Sequence, residues 1–170
     1  MKNPQNVDVD AVTSAGLVAP GNAAKLAVDI QKQTGGDIFS IRVKDLYPGN
    51  YDESVERAEN ELLQDARPKL ANNVENMEDY NIVFLGYPTW IGACPMAVRT
   101  FLESYDFSDK TVIPFCTHGT SGTGESIEDI KKIIPAAKLE KEFSVYRSDV
   151  DNCTAELYQW VKEVFKKIMQ

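Results

Sequence analysis

The sequence predicts a doubly wound α/β fold, a parallel sheet held between helices in three layers, and three observations carry that prediction. Short, wholly apolar runs at 82–85 and 112–115 read as strands buried on both faces. Amphipathic stretches of helical period alternate with such runs, as a parallel sheet with crossover helices requires. Glycine-marked turns at 86–92 and 117–124 follow the two apolar runs directly. In open α/β sheets, ligands bind just past the carboxyl ends of the strands.

Each element has its own signals. Gly21-Asn22 opens an amphipathic run that puts Leu26 and Ile30, with Ala23 and Ala27, on one face, and Gly35-Gly36 stops it. Residues 37–43 partly alternate through Ile38, Phe39, Ile41 and Val43 and predict a strand. Tyr47-Pro48-Gly49-Asn50 is turn chemistry. Residues 51–66 form a charged helix with Val55, Ala58, Leu62 and Leu63 inward, and Pro68 marks its end. Residues 76–80 lead into a strand at 81–86. Pro95 suits the first turn of a helix whose apolar members are Met96, Val98, Phe101 and Leu102. A strand at 109–116, a helix at 124–134 and a last strand at 138–146 follow. Asp151 or Asn152 is expected to cap a final helix bearing Leu157, Trp160, Val161, Val164, Phe165 and Ile168. No repeat, linker or low-complexity tract interrupts this order, so residues 1–170 predict a single domain with an irregular segment at 1–20.

With 170 residues and 43% apolar content, the chain is long enough for a full core. Its net charge of −8, from 18 basic and 26 acidic residues, argues against nucleic acid or an anionic membrane as partner. No apolar stretch approaches the roughly 20 residues of a membrane span, and the first residues lack a signal-peptide core. The cysteines, Cys94, Cys116 and Cys153, lie far apart and form no C-x-x-C pair. A reducing, cytoplasmic setting is expected, and no metal site is.

The two glycine-marked turns carry what a flat aromatic ligand needs: an indole, small polar side chains, and glycines that let backbone N–H groups approach closely. A tryptophan beneath a loop more often packs than stacks on a ligand. The Tyr87-Pro88-Thr89-Trp90 context after a buried strand favours the ligand. For Gly119, Gly122 and Gly124 the plain alternative is a surface turn ahead of a helix. His118, the only histidine, is read as a contact group rather than a proton-transfer group. Cys94 and Cys116 are read as small buried residues without thiol chemistry, and Tyr51, Asp52 and Glu53 as the start of a solvated face.

From Gly21 onward the chain resembles the flavodoxin-like family, in particular the short-chain flavodoxin-type flavoproteins of bacteria. The resemblance rests on Thr34-Gly35-Gly36-Asp37-Ile38-Phe39, Tyr47-Pro48, Ala66-Arg67-Pro68, Gly86-Tyr87-Pro88-Thr89-Trp90, Phe101-Leu102-Glu103, Pro114-Phe115-Cys116-Thr117-His118-Gly119 and Ser148-Asp149-Val150, in the family's order. It implies flavin mononucleotide (FMN) as cofactor. Pro88, Thr89, Trp90, Ile91 and Gly92 would form one wall of the ring site. Thr117, His118, Gly119, Ser121 and Gly122 would wrap the pyrimidine end, with Gly21, Asn22 and Ala23 at the phosphate end. No side chain need act as a catalytic group, since the flavin performs the chemistry. The implied activity is electron transfer or a small flavin-dependent, NAD(P)H-linked oxidoreductase, with a redox protein or a small electron acceptor as partner. The competing expectation is a degenerate, cofactor-free flavodoxin fold serving as an interaction or structural module.

One part of the pattern departs from the family. Its members start with a buried central strand and a hydroxyl-rich loop that holds the flavin phosphate at the first helix. Here Val7-Asp8-Val9-Asp10 would bring carboxylates into a sheet centre at heavy cost, and Thr13, Ser14 and Gly16 make residues 11–19 a poor central strand. At Gly21-Asn22-Ala23 the family's hydroxyl is lost. The first central strand is therefore expected to be missing or replaced. Two explanations compete: the sequence as given starts internally, or residues 9–19 take over the central place. The first is favoured.

Overall fold

The computed structural model describes residues 21–170, together with the backbone of two short N-terminal strands, β1 (Asp8–Val9) and β2 (Leu17–Val18). These pair antiparallel with each other in a sheet of their own, so neither stretch fills a place in the main sheet. Thr13, Ser14 and Gly16, which make residues 11–19 a poor central strand, lie outside the described residues.

The main sheet is parallel and four-stranded, built from β3 (Ile82–Pro88), β4 (Thr111–His118), β5 (Lys138–Leu139) and β6 (Phe143–Tyr146). β4 is central: β3 runs along one edge, and β5 then β6 run along the other. Its six interior residues are all buried, as a strand covered on both faces must be. The pleat sends Ile113 and Phe115 to one face and Val112 and Cys116 to the other. Leu26 and Ile30 of α1 (Asn22–Thr34) and Leu157, Trp160, Val161 and Val164 of α5 (Thr154–Ile168) cover the first face. Val98, Phe101 and Leu102 of α3 (Met96–Glu103) and Ile130 of α4 (Ser126–Ile133) cover the second. Leu157, Val112 and Ile113 are fully buried, each contributing roughly 1.5–3 kcal/mol of apolar transfer. α2 (Tyr51–Leu63) lies against α3 and buries only Ser54 and Ala58. The doubly wound, three-layer reading holds.

Leu63, expected inward, is the last residue of α2 and is 84% exposed, and three further sequence expectations differ in detail. Residues 37–43 do not form a strand; only Val43 makes a single bridge, to Leu70. Phe39 and Ile41 still pack on the core, but among the described residues no neighbouring strand offers this segment a ladder. Alternation alone cannot hold a strand whose backbone groups lack partners. The last strand is split, because the register of β6 on β4 is one residue out of step with that of β5. Pro114 supplies the cause. Glu140 N–H donates to Val112 O, so Val112 and, two residues on, Pro114 face that edge, and a proline there has no N–H to give. The extra residue forms a bulge around 140–142. Finally, α5 is capped by Cys153, because residues 147–152 wind into a 3₁₀ turn that consumes Asp151 and Asn152.

Candidate functional site

At the carboxyl end of β3, Thr89 N–H extends the ladder by donating to Thr117 O at 2.8 Å. The chain then reverses within two residues: Trp90 and Ala93 exchange both backbone hydrogen bonds at 2.9 Å. Ile91 and Gly92, between them, have φ of +52° and +74°, the signature of a type I′ turn. Gly92 adopts that backbone freely. Ile91, β-branched, does so at a strain of about 1–3 kcal/mol, and such strain concentrates where a loop must present itself in one shape.

The turn after β4 is fastened to this one. Thr89 Oγ1 donates to Gly122 O at 2.9 Å, and Glu125 N–H donates to Gly92 O at 2.7 Å. Gly124, at φ +53°, lies so close that a Cβ on it would land on the Gly92 carbonyl oxygen. The two loops therefore form one rim. Thr117 is wholly buried, Gly119 is buried, Gly122 is half-buried, and Ser121 is exposed.

His118, the last residue of β4, is half-buried, and its Nδ1 is buried with no hydrogen-bond partner among the described residues. Desolvation lowers its pKa, so the imidazole is neutral at neutral pH. Its register partner Tyr146 ends β6 and meets it edge-on, with ring centroids 5.9 Å apart. Asn22 Nδ2 donates to Arg147 O at 3.3 Å, which ties the start of α1 to the end of β6. Gly21, Asn22 and Ala23 are buried there, and Gly21 caps the helix without a side-chain hydrogen bond.

All the expected site residues thus lie at the carboxyl end of the sheet. Trp90 alone differs in setting: its indole meets the ring of Tyr47 edge-on, at 5.0 Å and 83°. Sequence reading assigned Tyr47 a place in a turn and in the family resemblance but no place at the site, and Tyr146 only a strand end. It also read the α2 face as solvated, whereas Arg57 and Glu61 are drawn inward, with side chains 22% and 12% exposed. The Tyr-Pro pair ahead of an Arg-x-x-x-Glu spacing was the available signal. A cleft of about 620 Å³ between α2 and the segments at 43–45 and 66–69 includes none of the loop residues.

The buried cysteines stay thiols: burial raises Cys94, and pushes Cys116 up to about 11. Among the described residues no cluster of metal-ligating side chains occurs, and no helix is long and apolar enough to cross a membrane.

The Flavodoxin family model matches residues 11–164. The chain belongs to the flavodoxin family. Among solved structures, this flavodoxin-family chain is similar to a candidate flavoprotein from Bacteroides eggerthii, at 27% identity and a TM-score of 0.73 over 85% of this chain and 91% of that one. A candidate flavoprotein from Bacteroides uniformis matches at 25% identity and a TM-score of 0.74, over 85% and 93% of the two chains. A flavoprotein from Lactobacillus acidophilus, solved in complex with FMN, shares the fold at 16% identity and a TM-score of 0.61, over 76% and 88%. No match was found among curated proteins.

Proposed function

We propose that this flavodoxin-family chain binds FMN and works in electron transfer or as a small flavin-dependent oxidoreductase, as one domain throughout. The observation that carries the reading is the rim itself: two turns latched to each other past parallel strands, beside a buried, unpartnered His118 Nδ1. An orphaned buried ring nitrogen costs about 1–3 kcal/mol until a polar ligand atom meets it. The hydrogen bonds that fix the second loop also leave the backbone N–H groups of Gly119, Thr120, Ser121 and Gly122 without partners among the described residues. Such donors suit the carbonyl and ring-nitrogen edge of an isoalloxazine. Pro88, Thr89, Trp90, Ile91 and Gly92 would line one wall. Thr117, His118, Gly119, Ser121 and Gly122 would hold the pyrimidine edge, and Gly21, Asn22 and Ala23 the phosphate end.

FMN, when bound, supplies the one- and two-electron transfer; the chain's part is to grip, orient and shield the ring. Neutral His118 can both accept and donate a hydrogen bond. FMN in complex with the Lactobacillus acidophilus flavoprotein is consistent with this choice of ligand. A redox protein or small acceptor would then be the partner.

One observation favours the rival, a cofactor-free module: the start of α1 offers no side-chain hydroxyl, and the Asn22 amide is spent on Arg147 O. Titration decides between them. Purified chain should take up FMN with quenching of flavin fluorescence and carry the absorption bands of bound oxidised flavin. Saturating FMN that leaves the protein colourless after desalting, with no quenching, would remove the flavin reading and leave the module.

A further inference from the structure

The Trp90 indole is backed by a group that nothing so far has used. Tyr47 meets it edge-on at 5.0 Å, and Trp90 also borders a small gap with Ala58, Glu61 and Leu62 of α2, Ile91 and Cys94. Tyr47 is itself held from several directions. Its hydroxyl donates to Glu61 Oε2 at 2.6 Å, while the Arg57 guanidinium lies over its ring, 4.2 Å from the centroid. Arg57 Nε donates to the other Glu61 oxygen at 2.8 Å, and its terminal nitrogens donate to the carbonyls of Leu46 and Asp45. Burial, then the hydrogen bond to Glu61, raises the phenol's pKa well above its usual value, so the hydroxyl remains a donor.

Charge-assisted hydrogen bonds in a half-buried setting fix orientation more firmly than exposed ion pairs do. Pinning the segment ahead of α2 onto that helix needs only the Arg57 bonds to the Leu46 and Asp45 carbonyls. It does not need a phenol clamped by both a carboxylate and a guanidinium and set perpendicular to an indole. The geometry points to Tyr47 as a positioning residue: gripped by Glu61 and Arg57, it sets the tilt of the Trp90 indole and, through it, the wall of the flavin site. This assignment rests on the FMN reading above.

The test is a double-substitution cycle on the full chain, read as FMN dissociation constant by flavin fluorescence. Tyr47→Leu removes the ring edge and is expected to weaken FMN about fivefold when Trp90 is present. In a Trp90→Leu background the same change is expected to matter less than about 1.5-fold, because its effect passes through the indole. Tyr47→Phe keeps the edge and should rescue most of the loss. Acrylamide quenching of tryptophan emission in FMN-free protein gives a second readout. It should rise in Tyr47→Leu, with buried Trp160 as a constant background. Should Tyr47→Leu fail to fold, Glu61→Gln, which loosens the grip but keeps the ring, is expected to raise the same quenching and to weaken FMN about twofold only when Trp90 is present. Equal losses with and without Trp90, an unmoved dissociation constant, or weaker binding without altered quenching would each overturn the role of Tyr47 while leaving FMN binding intact. An unsubstituted chain that takes up no FMN would overturn the flavin reading and this assignment with it.

Discussion

Gly124 has no room for a side chain, and that single fact fixes how the two rim loops meet. Its φ of +53° and that of Gly122, +57°, are alike, but a Cβ on Gly122 would meet nothing within 4 Å, whereas one on Gly124 would strike the Gly92 carbonyl. The pair therefore separates backbone strain from close approach. Gly122→Ala should cost only the strain of a left-handed alanine, about 1–2 kcal/mol. Gly124→Ala should cost that and also break the Glu125 N–H bond to Gly92 O as the loops part, for a total of about 2–4 kcal/mol. Urea unfolding midpoints of the two variants check this, and equal losses would mean that the loops are not latched through Gly124. Gly124→Ala should also weaken FMN more than Gly122→Ala does, because only the former spreads the rim.

The helix and strand ends carry their own consequences. At the start of α1 no side-chain hydroxyl is on offer, so what this helix end itself gives a phosphate, among the described residues, is backbone N–H groups and the helix dipole. The ring grip should then dominate, and riboflavin is expected to bind within about tenfold of FMN; a gap of a thousandfold by parallel titration would mean that a phosphate cradle exists after all. On the far edge of the sheet, the bulge caused by Pro114 buries Glu140, whose side chain is 1% exposed. Lys167 Nζ donates to Oε2 at 2.7 Å, and Lys138 lies 3.0 Å from Oε1 without hydrogen-bond geometry. The Lys167 hydrogen bond holds the carboxyl below the usual glutamate range. A carboxylate depressed in the folded state adds stability that is present above its unfolded pKa and lost as pH falls through the folded value. Glu140→Gln should thus lower the melting temperature at neutral pH by about 2–4 °C, for roughly 1 kcal/mol, and the two melting curves should converge below about pH 4. A constant offset across that range would show that the charge contributes nothing.

At the scale of the molecule, legibility followed burial on both faces. Residues 82–85 and 112–115 announced β3 and β4 because an apolar run covered by helices on both sides has no polar positions to blur it. Gly35 ended α1 as read, with φ +73° and its N–H on Gln31 O, since a left-handed cap is a local demand that the sequence must meet locally. Residues 37–43 misled because a strand also needs a neighbour, and no single segment records whether one is present. Among the described residues nothing pairs with the outer edge of β3 either. The site residues were legible as two loops because they follow buried strands; Tyr47 was not, because its contact with Trp90 joins distant parts of the chain. Much of the stability of such a fold can still come from the two apolar layers around β4, which form without any ligand. The chain should therefore unfold cooperatively when free of flavin, and FMN should act only by mass action on the native state. At a thousand times its dissociation constant, FMN should add about 4 kcal/mol, a rise in melting temperature on the order of 10 °C that grows with the logarithm of FMN concentration. A melting temperature indifferent to FMN beside a sharp, cooperative transition would identify the fold as one that stands without a cofactor. A broad, non-cooperative transition that sharpens only with FMN would mean that the two layers around β4 do not suffice, and that the ring is part of the core.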